Sequence, residues 1–93
     1  MKLQYTEHRT TVNRDHIEVI GEEFTADKIE PFQDAILKEV KVCLDNDAMD
    51  VAHKLIDWCH QVTAVEVNMR PGTKLVHNYG TGLDPVGTWE IIP

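Results

Sequence analysis

Residues 45 to 62, DNDAMDVAHKLIDWCHQV, hold two acids and two histidines at alternating spacings of three and four: Asp50, His53, Asp57 and His60. Imidazole nitrogens and carboxylate oxygens are the ligands a divalent metal takes, and a helix turning ~100° per residue gathers these four within roughly 80° of arc. The opposite side of the same helix carries Ala48, Val51, Ala52, Leu55, Ile56, Cys59 and Val62. That side must face the core, so the polar stripe faces water. Closed zinc sites draw ligands from separate elements and need supporting partners, which a bare outer face does not supply. A solvated face is therefore the favoured reading, and His53, Asp57 and His60 are kept as candidate ligands of a surface divalent metal.

Other chemistries find less. The chain has no serine, which removes Ser-His-Asp hydrolysis and the GxSxG elbow. Cys59 and His60 are adjacent, and neighbours on a helix diverge by ~100°, so they cannot act as a pair. Cys43 and Cys59 lack CxxC spacing and read as reduced, buried thiols. His77 reads as a hydrogen-bonded structural histidine on a strand. The stretch HNYGTGLDPVGT has glycines but not GxxxxGK, and it leads into a strand, so it reads as a connecting loop. No motif asks for a cofactor, and no catalytic residue is assigned.

Net charge is -7. Between Asp15 and Asp50 eleven acids stand against three lysines. Such a field repels nucleic-acid backbone and membrane surface and favours a protein partner with a basic surface if the acids share one face, simple solubility being the alternative. The candidate contacts are Glu18, Glu22, Glu23, Asp27, Glu30, Asp47 and Asp50. Trp58 and Trp89 join them as the leading aromatic candidates, since an exposed tryptophan is a good interface anchor, with ordinary core packing the commoner expectation for each taken singly.

The elements that must position these residues follow from periodicity. LQYTEHRT places Leu3 and Tyr5 on one face and HIEVI places Ile17 and Val19 on one face, which predicts a hairpin. Pro31 suits a first helical turn, and Phe32, Ala35, Ile36, Val40, Cys43 and Leu44 follow at helical spacing. Asp47 is expected to cap a second helix running to about Gln61, with Asp50 in its first turn. TAVEVNM alternates like a strand, Arg70-Pro71-Gly72-Thr73 suits a type II turn, and LVHNY and TWEII read as further strands. The expectation is one α+β domain over residues 1–93. It is a two-layer sandwich of order β-β-α-α-β-β-β, with two helices packed on one face of an antiparallel sheet.

That order resembles the unit of the tunnelling fold used by pterin and purine enzymes, and VTAVEVNMRPG is similar to its third strand and turn. The resemblance implies an oligomer with a small-ligand or catalytic pocket between subunits; it assigns no residue. The residues themselves favour a different function: a small acidic, non-catalytic interaction module that regulates, inhibits or adapts another macromolecule, a profile shared by small phage and bacterial inhibitors. Open sheet edges, including the TWEII strand, give a route to homo-oligomers under both readings. The first residues lack the apolar core of a signal peptide and no stretch is long enough to span a bilayer, so a cytoplasmic location is expected.

Overall fold

The computed structural model describes residues 1–9, 14–78 and 85–93. Strands β1 (Lys2–Glu7) and β2 (His16–Ile20) precede helices α1 (Glu30–Asp45) and α2 (Met49–Ala64), and strands β3 (Lys74–Asn78) and β4 (Pro85–Ile92) close the chain. The sheet is antiparallel in order β2-β1-β4-β3. Leu3, Trp89 and Ile91, on one face of the sheet, are at most 3% exposed, and both helices cover that face. The expected α+β sandwich is therefore the one the chain adopts.

The core is built from the predicted helical stripes. Phe32, Ala35, Ile36 and Val40 of α1 meet Val51, Ala52, Leu55, Trp58, Cys59 and Val62 of α2 over the sheet. Phe24 and Met69, from the connections, complete the buried cluster. Before α1, Thr25 and Lys28 exchange backbone hydrogen bonds of 3.3 and 3.1 Å, the irregular turn that lets Pro31 open the helix.

Three local expectations change. TAVEVNM is not a strand: α2 continues to Ala64, and Glu66–Asn68 form a 3₁₀ turn with Val65 and Val67 exposed. Its backbone is bonded locally instead: Asn68 N–H donates to Val65 O and Met69 N–H to Glu66 O, closing the 3₁₀ turn. Of the stretch VTAVEVNMRPG the expected turn is kept, where Thr73 N–H donates to Arg70 O at 3.3 Å and Gly72 has φ 96°. Asp47 does not cap α2. It is the left-handed residue (φ 57°) that ends α1: its N–H donates to Leu44 O and that of Ala48 to Cys43 O, the pattern of a Schellman motif. The N-cap of α2 is Ala48, which has no side-chain oxygen to offer.

The third change concerns β2 and β4. TWEII lies in β4, an inner strand, so the sheet edges are β2 and β3. In the β1–β2 register Leu3 faces Ile20 and Tyr5 faces Glu18. Ile17 and Val19 therefore point away from the helices, 58% and 52% exposed. Residues 10–13 and the glycine-rich stretch 79–84 lie outside the described residues.

Candidate interaction surface

The acids picked out by charge do not form one patch. Glu22, Asp27 and Glu30 come together on an open groove of about 580 Å³ at the start of α1, joined by Asp34, with Lys28 and Lys38 on the same walls. The turn at 25–28 folds Asp27 back beside the helix entry. Asp27 is held below the usual carboxylate range chiefly by a hydrogen bond from the Thr25 side chain, and then by its own backbone. None of these four acids forms an ion pair among the described residues. Four acids against two lysines leave the groove with a surplus of negative charge.

The remaining acids stand elsewhere. Glu23 lies 3.9 Å from the Met1 ammonium, and Glu18, on β2, lies 3.8 Å from His16 Nε2. Asp47 and Asp50 sit at the α1–α2 junction. A 16-residue helix is ~24 Å long, so they are more than two Debye lengths from Glu30 at ~0.15 M salt. They belong to a separate surface.

Trp58 and Trp89 are withdrawn from the surface altogether, 7% and 3% exposed. Trp58 packs edge-on to Phe32 at 5.8 Å, and Trp89 lies 4.7 Å from the Tyr5 ring. Both are core residues and present no ring to a partner. His53, Asp57 and His60 are exposed along α2 as the stripe predicted, and no group of three metal-ligating side chains converges among the described residues.

Between the helices a second groove, about 240 Å³, is lined by Asp34, Ile36, Leu37, Ile56, Cys59 and His60. Leu37 stands 61% exposed there. Asp34 lines both grooves, so the acidic one borders an apolar one. Neither Asp34 nor Leu37 was singled out from the sequence. A large apolar residue one position after the buried Ile36 was the available signal.

Sequence reasoning also passed over Glu39. It falls at the spacing of Ile36 and Cys43, on the edge of the buried stripe, and it accepts a hydrogen bond of 2.9 Å from Trp89 Nε1–H. With Tyr5, Cys43, His77 and Trp89 it lines a cleft of about 170 Å³ between α1 and the sheet. Burial raises the Glu39 carboxyl above its usual range, partly offset by the Trp89 bond. Burial, then the charges of Glu7 and Glu39, push the Tyr5 phenol up to about 12. Burial raises the Cys43 thiol, and burial followed by Lys54 lowers His77. Every shift favours the uncharged form, which suits a packed polar seam and leaves no primed thiolate.

A carboxyl raised on folding binds its proton more tightly in the folded state, so its contribution to stability falls as pH rises through the carboxylate range. Glu39→Gln keeps an acceptor for Trp89 and has no charge to desolvate. The variant is expected to melt above wild type at pH 7, with the gap closing toward pH 4. Thermal melts across that range check it; a gap that widens in acid contradicts it.

No protein-family model, curated protein or solved structure matches the chain.

Proposed function

We propose that the protein is a non-catalytic interaction module whose helix layer docks a protein partner with a basic, partly apolar surface. The observation that carries this reading is the junction at Asp34, where a groove with unpaired acids meets a groove with an exposed leucine. Interfaces combine an apolar centre with a polar rim, and charge at the rim steers encounter and sets register more than it adds affinity. Leu37 and Ile56 supply the apolar contact; Glu22, Asp27, Glu30 and Asp34 supply the steering. The surface chemistry disfavours nucleic-acid backbone as the partner. No helix among the described residues is long and apolar enough to cross a membrane.

The test uses a synthetic amphipathic helical peptide of lysine and leucine, titrated into the protein by calorimetry. Binding is expected to weaken about tenfold between about 50 mM and about 500 mM salt, because exposed charges are screened. Asp27→Lys with Asp34→Lys is expected to remove most of that salt dependence, and Leu37→Ser to weaken binding at both salts. Binding that ignores salt and both changes would refute the groove as the docking surface.

A further inference from the structure

The sheet ends on two edge strands that differ in how well they are guarded. β3 begins with Lys74, and its pairing with β4 shifts register between His77 and Asn78. A cation and an irregular ladder are devices that blunt an edge. β2, with sequence HIEVI, carries no lysine or proline, and its five-residue register with β1 is unbroken. Four of its five residues are exposed, among them the β-branched Ile17 and Val19 on the open face. A β-branched edge with unbroken pairing and neither lysine nor proline is a template for another strand.

We propose that β2 pairs antiparallel with β2 of a second copy of the chain, about a two-fold axis through Ile17, joining the two four-stranded sheets into one. Charge complementarity selects the copy and the register. About that axis Ile17 faces its own counterpart, while His16 of each chain faces Glu18 of the other. His16 and Glu18 already approach within 3.8 Å along their own strand, so the pairing closes a ring of four groups that alternate in sign when His16 is protonated. Arg14, two residues before His16, comes diagonally within reach of the same Glu18. Moving the axis to Glu18 sets two carboxylates directly opposite each other, which like-charge repulsion disfavours. Such a two-fold contact is self-complementary and closes at two chains. It stands on the strand edge alone and does not rest on the role given to the α1 groove.

The experiment combines solution mass with cysteine placement. Sedimentation equilibrium is expected to show a concentration-dependent dimer. Under mild oxidation Ile17→Cys is expected to give a disulfide-linked dimer, because facing Cα atoms of an antiparallel pair lie ~4.5–5.5 Å apart, within disulfide reach. Val19→Cys is expected to give none above the unmodified chain, since the register holds those positions roughly 13 Å apart along the strand. Ile17→Lys, which opposes two ammonium groups, is expected to raise the dissociation constant about tenfold. Ile17 and Val19 are exposed, so these variants keep the fold, as far-UV circular dichroism will verify. A strictly monomeric mass, a larger ring, or linkage at residue 19 in preference to 17 overturns the proposal.

Discussion

Phe32→Ala is expected to cost about 3–5 kcal/mol of stability, the usual range for emptying a buried aromatic site. Phe32 is 0% exposed and central: its ring lies 5.0 Å from that of Phe24 and 5.8 Å from that of Trp58. The change removes both aromatic contacts and leaves a void between α1, α2 and the segment that leads into α1. Collapse cannot fill it, because Leu3, Ile36 and Leu55 are themselves fully buried and fixed by opposing elements. A domain of this size is stable by roughly 5–14 kcal/mol, so the variant is left marginal. Urea unfolding of Phe32→Ala beside Leu37→Ala checks the claim. Leu37 is 61% exposed, and its truncation is expected to stay within about 0.5 kcal/mol. Equal losses in the two variants contradict this arrangement of the core.

Gly87→Ala is expected to cost about 2–4 kcal/mol, large for the addition of one methyl group. A Cβ at position 87 falls on the Tyr5 ring, which crosses β4 at that point, with Oη, Cε2 and Cζ the nearest atoms. The ring also contacts the Trp89 indole, 4.7 Å away, so moving aside into the cleft it lines costs that contact. Displacing it disturbs that stack and, through Trp89, the hydrogen bond to Glu39. Tyr5→Phe removes only the phenol oxygen and is expected to offset part of the loss when combined with Gly87→Ala. A double-mutant cycle followed by urea unfolding measures that coupling. Strict additivity contradicts the account of the polar seam.

The two helices and the sandwich were legible because their stripes are long and agree with their boundaries: Pro31 opens α1, and Ala48 to Val62 keep helical spacing. Short segments were not. TAVEVNM alternates over seven residues, but alternation alone does not make a strand: the segment bonds its backbone locally in a 3₁₀ turn, and pairing is settled by the whole sheet rather than by the segment. Ile17 and Val19 were placed on one face correctly, yet which face looks outward depends on the register with β1. Asp47 has a preferred N-cap chemistry, and the left-handed end of α1 claimed it one residue too early. The tryptophans take the core packing expected of each singly, and lose their candidate role in partner contact, for a related reason. Trp58 lies toward the margin of the α2 stripe, and Phe32 reaches it from α1 within the shared core. The candidate site was legible in part: Glu22, Asp27 and Glu30 are brought together, whereas Asp47 and Asp50 are a helix length away. The apolar half of the site needed the packing of α1 against α2, which no single stripe reveals.

The measurement closest to the central claim maps where a partner sits: ¹H–¹⁵N chemical shifts of the labelled protein, titrated with the lysine-leucine peptide at low salt. The largest changes are expected at Glu22, Asp27, Glu30, Asp34, Leu37 and Ile56, and they should vanish on adding salt. Changes centred instead on Asp47 and Asp50, on the β2 edge, or spread evenly over all exposed acids would contradict a docking surface on the helix layer.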